Sequence, residues 1–296
     1  MNSTVPAVFR AGSSPYAIGD PGRAASELAA GPPVVPAGQP DVELSAATLP
    51  GMVIRAATIR GLLHRFNGTS GQDAFALAQD PAGRAIAVVC DGVGSLGRSR
   101  EAAQLASRHL AVLGAAKVSW PDAIAQVNEE LGALAKVAAE GGAADEGPGD
   151  AEADGMATTA VAAALRRKEE NWVVDEAWVG DSSLWHLGAD GRWTVLAGAP
   201  DDDEENTFHV TGVRPLPSAD GSCSSRELIV PGGAIFLMSD GVGNPLRWST
   251  EVQETLAEWW RQPPDPFSFA AQVAFARRSH TDDRTVIGIW PDGADR

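Results

Sequence analysis

The chain has 296 residues, of which 44% are apolar and 21% charged, a composition typical of a globular protein with an ample core. Its 39 acidic residues outnumber its 23 lysines and arginines, and the charge of −16 argues against nucleic acid and membrane surfaces as partners. Two cysteines, Cys90 and Cys223, are too few for a disulfide framework and lack ligand-spaced partners for zinc. With no bilayer-length apolar run and no secretory signal pattern, we expect a cytoplasmic protein.

The first 45 residues are rich in Pro, Gly, Ala and Ser and show neither a strand period nor a helix period. Such a segment cannot bury enough apolar surface to offset the entropy lost on ordering. We therefore predict a flexible leader over residues 1–45 and a folded domain over residues 46–292.

Periodic sequence begins near residues 51–61, and the short apolar runs that follow predict β-strands, several of them joined by hairpin-type turns. The predicted strands are 73–79, 84–90, 158–165, 173–180, 183–187, 192–196, 227–230, 234–240 and 284–290. Helical spacing predicts helices at 100–114 and 121–140, and a second pair near 252–260 and 269–276. Helix pairs among hairpin-linked strands favour an α+β fold, a four-layer α/β/β/α sandwich of two antiparallel sheets flanked by helix pairs.

Two long polar segments interrupt this pattern. Residues 140–154 are acidic and rich in glycine, and residues 199–225 are acidic and rich in turn-forming residues. Both are expected to be solvated surface loops, although loops of this length in a compact domain are often functional.

Four aspartates lie at the edges of strongly apolar strands. Asp91 and Asp240 follow such strands, Asp282 precedes one, and Asp73 opens another. Carboxylates that converge from several strand ends repel one another, and a divalent cation relieves that repulsion. Oxygen ligands without Cys or His suit Mg²⁺ or Mn²⁺.

The sequence Asp-Gly-Val-Gly occurs twice, at 91–94 and 240–243, each time directly after an apolar strand. Glycine permits a sharp turn from strand to loop and exposes its carbonyl to a ligand. Asp-Gly is also a common turn dipeptide, so each copy alone is equally consistent with an ordinary turn. The repetition is the feature that favours a metal site.

Six segments in this order resemble the protein phosphatase 2C family of metal-dependent Ser/Thr phosphatases. They are GQDAF (71–75), VVCDGVGS (88–95), DGMATTA (154–160), WVGDSSLWHL (178–187), IFLMSDGVG (235–243) and HTDDRTVIGI (280–289). The stretch GLLHRFNGTSGQDAFAL (61–77) is similar to a bacterial branch in which Gly-x-x-His precedes Gln-Asp. The resemblance spans roughly residues 50–290, so the folded domain would be the catalytic domain.

In this family two Mg²⁺ or Mn²⁺ ions lie at the end of a β-sandwich. The resemblance implies that Asp91 bridges both ions and that the Gly92 carbonyl binds one of them. Asp240 and Asp282 would complete the direct ligands, and Asp73 would hold a metal-bound water from behind them.

The resemblance also implies a loosely held third ion. Asp154 matches the aspartate that binds this ion in the family, and Asp181 lies close to the same ion in bacterial relatives.

The implied activity is hydrolysis of phosphoserine and phosphothreonine in proteins, in opposition to a Ser/Thr kinase. Two cations lower the pKa of a bridging water enough to supply hydroxide near neutral pH, and they offset charge on the phosphoryl oxygens. The alternatives are a pseudophosphatase that binds phosphopeptides or partners, and a phosphatase of small phosphate esters.

The chain departs from the family pattern around the substrate. The family commonly has an arginine a few residues before the Gln-Asp pair to hold the substrate phosphate, but Gly68 stands in its place. His64 and Arg65 are the candidates for that role, and a purely structural His64 is the alternative. Val93 stands where many relatives have a histidine that protonates the leaving group. Substrate binding is therefore expected to differ more than the metal site.

Overall fold

The computed structural model describes residues 16–27, 40–93, 98–142, 155–198, 214–219 and 221–292. Its strands are β1 (Val42–Leu49), β2 (Met52–Ile59), β3 (Ala74–Gln79), β4 (Ala85–Cys90), β5 (Ala160–Lys168), β6 (Asn171–Val179), β7 (Ser183–Leu187), β8 (Trp193–Ala197), β9 (Ser224–Val230), β10 (Ala234–Met238) and β11 (Arg284–Pro291). Its helices are α1 (Ala24–Glu27), α2 (Leu62–Asn67), α3 (Ser99–Ala115), α4 (Trp120–Gly142), α5 (Asp240–Trp248), α6 (Thr250–Trp259) and α7 (Pro266–Val273).

The strands form two antiparallel sheets, which confirms the predicted α+β fold. The six-stranded sheet has the order β1-β2-β11-β10-β7-β8, and the five-stranded sheet has the order β3-β4-β5-β6-β9. Most neighbours are consecutive in the chain, as expected for hairpin-linked strands. The last strand, β11, enters the middle of its sheet between β2 and β10, and this insertion joins the two ends of the domain.

Alternation along the strands divides the core into layers. In β4, Ile86 and Val88 pack against α3 and α4, whereas Ala87 and Val89 face the other sheet. All six residues of β4 are buried because both faces of this strand are covered. The strand therefore reads as a continuous apolar run, and its position is fixed from both sides.

The two helical layers differ in size. Helices α3 and α4 pack on the five-stranded sheet, as one predicted pair, but α5, α6 and α7 share the core on the six-stranded sheet. The prediction of a second pair missed α5, which starts within the second Asp-Gly-Val-Gly segment. No helix in the described ranges is both long and apolar enough to cross a bilayer.

Parts of the predicted leader are ordered. Strand β1 begins at Val42, before the predicted boundary at residue 45, because it pairs along its whole length with β2. Ala17 bridges Ala276, and the Ile18 side chain is buried against the helices of the six-stranded sheet. The remaining leader residues, 1–15 and 28–39, lie outside the described residues.

One carboxylate lies inside the sandwich. Glu176 of β6 faces the inter-sheet core and its side chain is fully buried, with Oε1 accepting a hydrogen bond from Arg226 Nε at 2.8 Å. Its Oε2 has no hydrogen-bond partner among the described residues. Burial is the largest cause that raises the pKa of Glu176 from 4.5 to about 7, against the opposing effect of Arg226. Between about pH 4.5 and pH 7, Glu176 therefore keeps its proton in the folded protein and loses it in the unfolded chain.

We predict that Glu176→Gln stabilises the protein at pH 8 and has progressively less effect toward pH 5. A raised carboxyl pKa makes the folded state bind more protons, so wild-type stability falls as pH rises from about 4.5 to about 7. The difference at pH 8 should not exceed about 3 kcal/mol. Chemical denaturation at both pH values measures it, with the exposed neighbour Glu227→Gln as control. An identical effect of Glu176→Gln at pH 5 and pH 8 would contradict the prediction.

Candidate metal centre

Five strand ends bring aspartates to one edge of the sandwich. Asp73 immediately precedes β3 and Asp91 immediately follows β4, and these strands pair from Ala74 opposite Cys90. Asp181 lies two residues beyond β6, while Asp240 and Asp282 flank the paired strands β10 and β11. The antiparallel register places all of these ends at the same pole. The predicted convergence of distant carboxylates is therefore present in the fold.

Asp91 is held by its backbone. Its carbonyl accepts hydrogen bonds from Thr159 N at 2.7 Å and from Thr158 Oγ1 at 2.9 Å. At Gly92 a Cβ atom would lie 2.8 Å from the Ser99 carbonyl oxygen and 2.9 Å from Gln72 Cβ. Glycine is thus needed here, because the neighbouring chain segments pack too closely for a side chain.

Asp240 begins a helix, so the alternative of an ordinary Asp-Gly turn at residues 240–243 does not apply. It is the first residue of α5, where a carboxylate interacts favourably with the helix dipole. Asn244 Nδ2, one helical turn later, donates to Asp240 Oδ2 at 3.2 Å. Gly241 packs against the Asp283 carbonyl so closely that a Cβ could not be accommodated. Gly241 therefore lets the first turn of α5 pack closely against the residues that precede β11.

Asp73 has one satisfied and one unsatisfied oxygen. Its Oδ2 accepts a hydrogen bond from Ser239 Oγ at 2.7 Å, and the same hydroxyl accepts from Thr285 N at 3.0 Å. Its Oδ1 is buried without a hydrogen-bond partner among the described residues. A buried carboxylate oxygen left in this state carries a desolvation cost that a cation or an ordered water can relieve.

The carboxylates at this edge raise one another's pKa. Burial raises the pKa of Asp73 and of Asp91 well above the usual range, and the charges of their aspartate neighbours raise both further. Burial, Asp181 and Asp282 raise the pKa of Asp240 to about 6. The pKa of Asp181 is raised by burial and by Asp282. A set of oxygen ligands that destabilise one another in this way fits Mg²⁺ or Mn²⁺.

Asp283 is the residue of this region that the sequence reasoning missed. Its Oδ1 accepts from Gly61 N at 2.5 Å and lies 3.0 Å from His64 Nδ1, and its Oδ2 accepts from Gln72 N at 2.5 Å. The side chain is buried, whereas its neighbour Asp282 is exposed. The doubled aspartate before β11 was the available signal, since successive residues of an extended chain point in opposite directions.

His64 lies in helix α2, beside the carboxylate cluster. Its hydrogen bond to Asp283 is the largest cause that raises the pKa of His64, and burial opposes it. Ligand atoms of His64, Asp282 and Asp283 all lie within 4.8 Å of one another. His64 is thus placed at the rim of the site and is turned toward its carboxylates.

The remaining candidates lie in different places. Arg65 Nε is 3.9 Å from Asp41 Oδ2, and Arg65 lines a small cavity together with Asp282 and the buried Arg284. Burial lowers the pKa of Arg284 to about 10, against the effect of Asp282. Asp154, the candidate ligand of a third ion, lies outside the described residues.

The comparison with family models identifies the chain. The model described as protein phosphatase 2C matches residues 60–274, which is more than half of the sequence. The protein belongs to the protein phosphatase 2C family, and the resemblance of its short segments is confirmed. The search of curated proteins gave no significant match.

Solved structures share the fold. The chain is similar to the Ser/Thr phosphatase Stp1 from Staphylococcus aureus, with 18% identity and a TM-score of 0.58 over 83% of this chain and 96% of that one. PppA, a key regulatory component of T6SS in Pseudomonas aeruginosa, is 20% identical, with a TM-score of 0.54 over 83% and 100% of the two chains. RsbX in complex with magnesium is 13% identical, with a TM-score of 0.51 over 84% and 100%.

We predict that Asp283→Ala lowers the free energy of unfolding by about 3 kcal/mol, because it leaves the amides of Gly61 and Gln72 without their charged acceptor. Denaturant unfolding in EDTA measures the loss. Asp282→Ala is the matched control, since it removes the adjacent but exposed carboxylate and should cost less than about 1 kcal/mol. Equal losses in the two variants would show that Asp283 does not organise the site.

Proposed function

We propose that the protein is a metal-dependent phosphatase that hydrolyses phosphoserine and phosphothreonine in proteins. The observation that carries this proposal is the convergence of Asp73, Asp91, Asp181, Asp240 and Asp282 at one edge, where burial and mutual repulsion raise the pKa of four of them. Membership of the protein phosphatase 2C family supports the reaction class. Phosphorylated proteins are the proposed substrates, and an opposing Ser/Thr kinase is the proposed source of the phosphate.

Two Mg²⁺ or Mn²⁺ ions are the proposed cofactors. Asp91, the Gly92 carbonyl, Asp240 and Asp282 would hold them, with Asp73 behind these ligands. The magnesium complex of the similar protein RsbX supports this choice of ion. Asp181, together with Asp154, is the proposed site of a third ion. When bound, such ions activate water and neutralise charge on a phosphate.

The protein's own side chains position the reactants. The Ser239 hydroxyl and the Thr285 amide fix Asp73, and the Thr158 and Thr159 donors fix the chain at Asp91. We also propose that protonated His64 contacts the substrate phosphate. Asp283 stabilises that form and fixes the ring orientation.

The binding-module alternative finds no support, because Asp91, Asp240 and Asp282 are all present and their strand ends meet. A phosphatase of small esters keeps the same site and differs only in substrate. A panel of phosphopeptides beside p-nitrophenyl phosphate, each with Mn²⁺ and with EDTA, separates these functions. Mn²⁺-dependent release from phosphopeptides supports the proposal, release from the small ester alone supports the second function, and no release supports a binding module.

We predict that Asp91→Asn abolishes Mn²⁺-dependent phosphate release and yet raises the Tm in EDTA. The substitution removes a ligand and also removes one of the mutually repelling charges. Mn²⁺ in large excess should stabilise the wild type, by about 4 kcal/mol at 1,000 times Kd, and this gain should disappear in the variant. Calorimetry with and without Mn²⁺ measures both effects.

The control for Asp91→Asn is Asp122→Asn, at an exposed position in the first turn of α4. It should keep full turnover and the full Mn²⁺ stabilisation. Retained turnover in Asp91→Asn would overturn the proposed metal centre.

We predict that His64→Gln raises the KM for a phosphopeptide roughly tenfold, since it removes a charged hydrogen bond to the phosphate. The Mn²⁺-induced rise in Tm should remain. His109→Gln is the matched control, because His109 pairs with Glu130 on the surface of the helical layer. An unchanged KM in His64→Gln would assign His64 a structural role, and loss of the Mn²⁺ effect would make it a metal ligand.

A further inference from the structure

A large cleft opens at the pole opposite the aspartates. It has a volume of about 1170 Å³ and is bounded by the turns after β1, β5, β7 and β9 and by the end of β11. The registers place Leu165 opposite Ala85 at the start of β4, whereas Asp91 follows the other end of that strand. The two poles are thus separated by roughly 20 Å, the length of β4 at about 3.3 Å per residue.

The inner faces of the sheets become polar at this cleft. Alternation places Arg167 on the same face as Val161, Ala163 and Leu165, which lie in the inter-sheet core. His186 follows Leu184 on the same face in the other sheet and pairs with Thr194. Core positions that elsewhere carry apolar side chains therefore carry an arginine, a histidine and a threonine here, and all three line the cleft.

Arg167 has an unused hydrogen-bond donor. Its guanidinium lies 4.8 Å from the ring centroid of Trp172, and Nη2 donates to the Glu169 carbonyl at 3.0 Å. Its Nη1 is buried and has no hydrogen-bond partner among the described residues. The guanidinium is therefore held in place with one buried donor unsatisfied, which carries a desolvation cost.

Two strand edges flank the cleft. Strands β8 and β9 are the last strands of their sheets, and in the described residues neither pairs with a further strand. Their inner residues Leu196 and Leu228 line the cleft, and Ile229 is 67% exposed beside them. Unpaired strand edges beside an apolar surface are suited to pairing with an extended peptide.

The rim of the cleft is acidic. Glu169, Glu170 and Asp292 are exposed, and no ion-pair partner is present for them within the described ranges. Asp190, also on the rim, lies 3.6 Å from Arg192. The unpaired carboxylates, on a chain of charge −16, are complementary to a basic partner.

We propose that this cleft docks an extended, basic segment of a partner protein by strand pairing along β8 or β9. Apolar side chains of that segment cover Leu196, Leu228 and Ile229, and its basic side chains meet the rim carboxylates. The cleft is independent of the phosphatase centre, so the inference goes beyond the proposed function.

The test uses a capped, fluorescein-labelled octapeptide of alternating Lys and Val, with Lys/Ser and Glu/Val octapeptides as comparisons. Binding is measured by anisotropy on the full chain in EDTA. We expect the Lys/Val peptide to bind at least tenfold more tightly than either comparison peptide. Amide hydrogen exchange in β8 or β9 should slow when the peptide is present.

Two surface variants test the location. Ile229→Lys and the pair Glu169→Lys/Glu170→Lys should each weaken binding roughly tenfold without changing turnover of p-nitrophenyl phosphate. Val112→Lys is the matched control for Ile229→Lys, since Val112 is 66% exposed on α3. Glu129→Lys/Glu130→Lys, an exposed pair of adjacent glutamates on α4, is the control for the charge reversal.

Three outcomes would overturn the proposal. Equal binding of the Lys/Val and Lys/Ser peptides would show that the apolar side chains contribute nothing and that binding is nonspecific charge attraction. Loss of binding in Asp91→Asn but not in Ile229→Lys would place the peptide at the aspartate cluster. A dimer of the wild type that Ile229→Lys dissociates would make a second copy of the chain the occupant. Loss of phosphatase activity alone would leave this proposal standing, because binding is measured without metal.

Discussion

Electrostatic repulsion among carboxylates at one edge of the sandwich is the constraint that shapes this protein. Burial and mutual proximity raise the pKa of Asp73, Asp91, Asp181 and Asp240, so ionising these groups costs folding free energy. The rest of the fold must supply enough stability to hold them together. The double-sided burial of β4, which ends one residue before Asp91, is one source of that stability. A site that is unfavourable when empty binds cations more strongly, because binding relieves the repulsion.

The supports of the cluster are mainly backbone groups and neutral hydroxyls. Ser239 links Asp73 to the Thr285 amide, and Thr158 and Thr159 hold the Asp91 carbonyl. Positively charged side chains in these places would neutralise the aspartates and compete with a metal ion. Asp283 is the exception, because it is a charged support. It accepts hydrogen bonds from two backbone amides and pairs with His64, and it thereby connects the start of β11 to α2 and to the segment before β3. The neutral donors therefore fix the positions of Asp73 and Asp91, while the aspartates themselves supply the negative charge.

The sequence predicted the strands well because both sheets are covered and their apolar runs are short and bounded by turns. It also predicted which aspartates end those strands. It missed β1, whose exposed edge position leaves a weak apolar pattern, and it recognised β2 only as the start of periodic sequence. It also missed α5, whose Asp-Gly start is typical of a turn. The doubled aspartate before β11 marked Asp283 as a candidate, but its role depends on contacts with residues more than 200 positions away, and a local pattern does not name those partners. Burial of a doubled aspartate is a tertiary property.

The two poles of the sandwich break the apolar alternation in opposite ways. At one pole, aspartates placed at or just beyond the strand ends meet, and the adjoining strands stay apolar. At the other, Arg167, His186 and Thr194 occupy inner positions of the strands themselves, so the gap between the sheets is lined by polar groups. Filling that gap with apolar side chains would bury more surface and would spare the unused Arg167 donor. A fold that accepts this cost at a position remote from its aspartates has a reason outside folding stability, and recognition of a partner is a reason that fits the free strand edges beside it.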